Sequence, residues 1–82
     1  MSLRLSATTK LAPEQVIERA ARYFGDEFGL AVAWRSPLSA RFEGGGGHVQ
    51  VSTVAAPRGA EVELETMEWE IQVRQFAADL PR

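Results

Sequence analysis

The sequence predicts an α+β fold: a two-layer sandwich in the order β-α-β-β-β-β-α, with both helices on one face of a five-stranded antiparallel sheet. Three observations predict it. Apolar and polar residues alternate in five separate stretches, the period of a strand with one buried and one wet face. Two further stretches, one after the first strand and one at the C-terminal end, carry apolar residues at helical spacing. The connections between the last four strands are short, which favours an antiparallel meander. Eighty-two residues make a single domain, 1–82, with room for one core.

Leu3, Leu5, Ala7, Thr9 and Leu11 alternate with Arg4, Ser6, Thr8 and Lys10, giving a first strand with a polar outer face. Pro13 suits the first turn of a helix, where its missing N–H costs nothing, and Glu14 complements the positive helix end. Ala12 offers no side-chain acceptor as an N-cap. Val16, Ala20 and Phe24, flanked by Ile17, Ala21 and Tyr23, form the apolar stripe of this helix. Glu18 and Arg22 stand at the i, i+4 spacing of an ion pair. Gly25 is the expected terminator, with Asp26 to Phe28 available for an irregular extra turn.

Leu30, Val32 and Trp34 then alternate with Ala31, Ala33 and Arg35 until Ser36-Pro37 breaks the run. Leu38, Ala40 and Phe42 resume it against Ser39, Arg41 and Glu43. Gly44 to Gly47 make a second break, and Val49, Val51 and Thr53 alternate with His48, Gln50 and Ser52. Pro57-Arg58-Gly59 carries turn chemistry. The last strand sets Ala60, Val62, Leu64 and Thr66 against Glu61, Glu63 and Glu65. The period then changes. Trp69, Val73, Phe76, Ala77 and Leu80 line one side of a helix expected over Met67–Leu80, with Glu68 and Glu70 in its first turn and Pro81 closing it. Met67, Trp69, Ile71 and Val73 also continue the strand alternation, so an extended reading stands beside the helical one.

Composition narrows the function classes. With no cysteine there is no disulfide and no thiolate site, which fits a reducing cytoplasm. A single histidine argues against structural zinc, and no cofactor or metal is expected. A formal net charge of −2 argues against a nucleic-acid partner. The expected wet face carries Arg4, Lys10, Arg35 and Arg41 but also the glutamate comb, and lacks aromatics for base stacking. The chain opens without a basic stretch and apolar run, and its longest apolar run, Leu30 to Trp34, is too short for a bilayer; neither signal peptide nor membrane span is expected.

Five features are candidates for chemistry or recognition. The glycines Gly44 to Gly47 join two strands, so they read as a hairpin rather than a phosphate cradle, which would precede a helix and carry Lys-Ser/Thr. His48 is a potential general base, but it lies on a wet face with no evident carboxylate partner, and exposure is the plainer reading. Three like charges at Glu61, Glu63 and Glu65 pair with basic neighbours or are solvated. If the last strand lies beside the first, Arg4 and Lys10 face them. Trp34, Phe42, Trp69 and Phe76 either wall a ligand pocket or, as is usual in a small domain, constitute the core with Phe24. Met67 and Ile71, with Ala78, form a candidate partner surface on the C-terminal helix.

The opening "LRLSATTKLAPEQVIERAARYF" resembles the start of START-like, helix-grip proteins (the Bet v 1 and polyketide-cyclase superfamily), where a strand leads through "aPxxxV" into a helix, matched by Ala12-Pro13 and Val16. The ending "GAEVELETMEWEIQVRQFAADL" is similar to their last strand and C-terminal helix through Gly59, Val62, Leu64 and Phe76. The same element order describes TBP-like folds. Small bacterial proteins linked with polyhydroxyalkanoate granules have a similar layout, including a stretch like Phe28-Gly29-Leu30 and Trp34. The helix-grip resemblance implies an apolar cavity between sheet and helices; no family catalytic residue maps onto a motif of this chain.

The expected function is therefore that of a cytoplasmic, non-enzymatic domain acting by binding or self-association, a homo-oligomer included. The alternative is a binder of a small apolar ligand, or a cyclase-like enzyme, with a reduced cavity walled by Trp34, Phe42, Trp69 and Phe76.

Overall fold

Three successive hairpins, two of them closed by two-residue turns, and a pairing of the first strand with the last build the sheet in the computed structural model, which describes residues 2–82. The elements are β1 (Ser2–Thr9), α1 (Pro13–Ala20) continued by a π-helical segment (Ala21–Glu27), β2 (Ala31–Arg35), β3 (Ser39–Gly44), β4 (Gly47–Ala56), β5 (Gly59–Met67) and α2 (Glu70–Asp79). The five strands form one antiparallel sheet in the order β1-β5-β4-β3-β2, with β1 and β2 at its edges. The fold is α+β.

The glycine run is the β3–β4 hairpin. Gly44 faces Gly47, and Gly45 and Gly46 between them have φ of 59° and 80°, the left-handed pair of a two-residue turn matched to strand twist. Pro57-Arg58 makes the second two-residue turn, between Ala56 and Gly59. That turn fixes the register of two long strands, so Val51 faces Leu64 and Gln50 faces Glu65. β5, second in the sheet, takes β1 as its other neighbour, Leu5 opposite Leu64.

One face of the sheet is apolar. Ala40, Phe42, Val49, Val51, Val62 and Leu64 are fully buried there or nearly so, beneath Val16, Ile17, Ala20 and Phe24 from the first helix and Val73 and Phe76 from α2. Three threonines share this face, and each hydroxyl donates to a main-chain carbonyl: Thr66 to His48 at 2.6 Å, Thr53 to Leu38 at 2.6 Å, and Thr9 to Pro81. Buried hydroxyls thus keep their hydrogen bonds. Gln15 Oε1 accepts the Ala12 N–H at 2.8 Å, supplying at the helix start what Ala12 lacks.

Several boundaries differ from expectation. The first helix does not stop at Gly25: it widens to π geometry and runs through Glu27, and Gly29, with φ 73°, turns the chain out after it. β1 ends at Thr9, so Lys10 and Leu11 lie beyond it, and the Lys10 N–H donates to Pro81 at 3.0 Å. Met67 is the last residue of β5 rather than the first of a helix, and Glu68 turns the chain with φ 80° before α2 begins at Glu70. The helical reading of the C-terminal segment holds from Glu70 on. Glu68 stands outside its first turn.

Packing of the first helix's end also perturbs a titration. Tyr23 lies edge-on to Phe24 and Phe28, with centroids 5.0 and 5.1 Å away. Burial raises its phenol pKa above the ordinary 10.0, and the carboxylates of Glu27 and Asp79 add to the rise. The folded state then holds this proton more tightly than the unfolded chain. Its contribution is complete below the unfolded value and is lost as pH climbs through the raised one. Tyr23→Phe is expected to flatten the alkaline decline in melting temperature, measured in a pH series above about 10.

The hairpin glycines give a second test. A Cβ at Gly46 meets nothing within 4 Å, whereas one at Gly47 collides with the Met67 carbonyl and the Glu68 side chain. Gly46→Asn should cost no more than about 1 kcal/mol in urea titration, because asparagine tolerates positive φ. Gly47→Ala should cost roughly 2 kcal/mol or more, because backbone must shift.

Candidate functional site

The residues expected to wall a pocket are not gathered around one. Phe42 is fully buried on β3 and Phe76 nearly so on α2, and Phe24 stands between them with ring centroids 5.7 and 5.3 Å away. Three phenyl rings fill the space between sheet and helices. Trp69 sits at the rim, not on the helix stripe: it is the residue before α2, its Nε1 donates to the Gly44 carbonyl at 2.9 Å, and its ring borders Gly45. It thereby ties the base of α2 to the glycine hairpin.

Trp34 is a correction. The alternation puts it inward with Val32, but β2 carries a bulge: Val32 faces Phe42, Trp34 faces Arg41, and Ala33 has no partner in the ladder. One extra residue reverses the faces beyond it. Trp34 therefore stands on the helix-free face beside Arg41 and is 43% exposed. Arg35 moves the other way, opposite Ala40, where its Nη2 lies 3.3 Å from Glu18 Oε1 of α1. Glu18 also holds Arg22 at 3.5 Å, as the spacing predicts.

The helix-free face carries the charge chemistry. Register places Arg4, Glu65, Gln50, Arg41 and Trp34 in one row across all five strands. Arg41 Nη1 donates to Gln50 Oε1 at 3.0 Å and its Nε to Glu43 Oε2 at 2.8 Å. Arg4 lies 3.7 Å from Glu63, so the predicted pairing of β1 with the glutamate comb is realised there. Among the described residues Lys10 makes no such pair, because β1 has ended.

His48 has the carboxylate partner that its sequence neighbours do not show. Its Nε2 lies 2.7 Å from Glu65 Oε1, and the two side chains are only 17% and 23% exposed. The residues sit diagonally, since His48 faces Met67 and Glu65 faces Gln50. The signal was present in the sequence: once Pro57-Arg58 is a two-residue turn, the β4–β5 register follows and brings them together. Among the described residues the His48 ring makes no other side-chain hydrogen bond, so the arrangement is a cross-strand hydrogen-bonded pair of imidazole and carboxylate.

Met67 and Ile71, the candidate partner surface, are 38% and 78% exposed. They belong to different elements, Met67 ending β5 on the helix-free side and Ile71 lying in the first turn of α2. Val32 on β2 and Leu38 just before β3 are each 50% exposed. A shallow depression of about 480 Å³ opens on the helix-free face, lined in part by Ser6, Thr8, Ser52, Val54, Glu61 and Glu63. Among the described residues no three His, Asp or Glu side chains gather as metal ligands, and no helix is long and apolar enough to cross a membrane.

Because His48 and Glu65 are mostly shielded from water, their coupling should be measurable. A double-mutant cycle with His48→Ala and Glu65→Ala, read by urea denaturation at neutral pH, is expected to give about 0.5–1.5 kcal/mol of interaction. Simple additivity would count against the pair.

No family model and no curated protein sequence matches the chain. Its fold is similar to a crystal structure of the protein SSP2350 from Staphylococcus saprophyticus, with a TM-score of 0.62 over 93% of this chain and 78% of that one. The two are 12% identical, a likeness of fold alone.

Proposed function

We propose that this domain acts through its surface, by binding or self-association, and not by catalysis. The observation that supports it most directly is the aromatic filling between sheet and helices. Phe42 and Phe76 are buried against Phe24, and the apolar groups open to a partner are surface ones, Ile71, Val54, Val32 and Trp34 among them, beside the strand edges. Ligand sites for small molecules are typically enclosed volumes of about 300–1,000 Å³. The depression over Ser6 and Ser52, about 480 Å³, is by contrast partly open to solvent and lies on the helix-free face, away from the phenyl rings.

The order β-α-β-β-β-β-α with both helices on one face supports a reduced START-like or TBP-like topology. A cysteine-free chain supports residence in a reducing compartment such as the cytoplasm. Net charge of −2 and a helix-free face that pairs arginines with glutamates speak against a nucleic-acid partner.

Light scattering across a concentration series tests the reading. The expected mass exceeds the 9.0 kDa of one chain at high concentration. A strict monomer removes self-association and leaves recognition of a different partner.

A further inference from the structure

The two edges of the sheet are not alike. β2 is short and broken by the bulge at Ala33, a device that spoils pairing with another strand. β1 has eight residues, no bulge, no proline and one charge, Arg4. Its outward backbone groups follow from the hairpins. The Ala56–Gly59 pair closes a two-residue turn and is hydrogen-bonded, so odd-numbered β5 residues turn toward β4 and even-numbered ones toward β1. Their partners Leu3, Leu5, Ala7 and Thr9 are thereby occupied, and the N–H and C=O groups of Ser2, Arg4, Ser6 and Thr8 point away from the sheet. Lys10, next in that series, donates to Pro81, as the parity requires. The C-terminal residues thus close the edge beyond Thr9 and leave it open from Ser2 to Thr8.

We propose that this edge pairs antiparallel with β1 of a second copy, about a two-fold axis at Leu5, joining two sheets into one; this rests on the self-association reading above. The register that uses the whole open stretch puts Ser2 opposite the partner's Thr8, Leu3 opposite the partner's Ala7 and Arg4 opposite the partner's Ser6. A one-residue slip would set apolar against polar faces. A two-residue slip either stacks Arg4 on the partner's Arg4 or runs into the closed end at Lys10. In the favoured register Ser6 neighbours Glu63, so each Arg4 stands between Glu65 of its own sheet and the partner's Glu63. The half-buried row Leu3, Leu5 and Ala7 gains cover at the same time.

Ser6→Pro tests the proposal, because it deletes an N–H that has no partner within the chain and leaves the β1–β5 ladder intact. Arg4→Glu is the second variant, at an exposed position: within one chain it gives up the surface pair with Glu63, which both the free and the paired states lose alike, and in the paired state it adds repulsion toward the partner's Glu63. Sedimentation or light scattering should show a wild-type dimer and dimers at least ~tenfold weaker in both variants. In wild type at dimeric concentration the amides of Arg4, Ser6 and Thr8 should resist hydrogen exchange. A dimer unaffected by either variant, with those amides unprotected, overturns the β1 interface while self-association stands. A monomer at every concentration overturns both. Should Ser6→Pro fail to fold, Arg4→Glu and the exchange pattern decide alone.

Discussion

Phe24 is the side chain on which the two layers depend. It is fully buried, meets Phe42 of the sheet and Phe76 of α2, and touches Tyr23 within its own element. Burying such a ring contributes roughly 1.5–3 kcal/mol, a large share of the roughly 3–5 kcal/mol that a domain of this size commands. The π widening from Ala21 onward accompanies this placement. An extra residue in the turn brings Tyr23 and Phe24 both to bear on the interior, and the Leu30 N–H closes on the Phe24 carbonyl at 3.0 Å. The same ring that fastens helix to sheet fills the space between Phe42 and Phe76, so in a fold this small these aromatic residues serve packing.

How much of this was legible depends on the range of the interaction responsible. Alternation in β1, β3, β4 and β5 is a local property, and the burial of Leu64, Val51 and Phe42 follows it closely. The bulge at Ala33 is not local. It arises from how five residues of β2 are laid against β3, and nothing between Leu30 and Arg35 marks one of two alanines as the extra residue. Trp34 and Arg35 consequently exchange faces against expectation. Gly25 misleads for a related reason: glycine permits a helix to end, but Tyr23 and Phe24 packing decides where it does, and Gly29 takes the turn. Trp69 carried a helical spacing and a strand spacing at once. Its indole N–H bond to Gly44, twenty-five residues away, resolves the choice by making it a hinge between β5 and α2.

The helix-free face shows what register adds to composition. Three glutamates alternate along β5. Two-residue turns set them among Arg4, Gln50, His48 and Arg41, so that Glu63 and Glu65 acquire partners from the two neighbouring strands. Cross-strand pairs of this kind are individually small. Their consequence is chiefly for specificity, since each pair exists in one register only.

Edge protection completes the logic. A five-stranded open sheet exposes two rows of unpaired backbone groups, and each must be blunted, covered or joined. β2 is blunted by its bulge, with Pro37 just beyond it. β1 is covered only at one end, where Thr9 and Lys10 both bond the Pro81 carbonyl. Those bonds also anchor the end of α2, whose last carbonyl group accepts from Arg19 at 3.3 Å. The tail therefore serves the helix layer first, and its cover of the sheet is partial. What it leaves open is a regular stretch of alternating Ser, Leu, Arg and Ala. Such a stretch lacks the usual guards against strand addition, and a sheet whose interior is already full has its unused bonding capacity there.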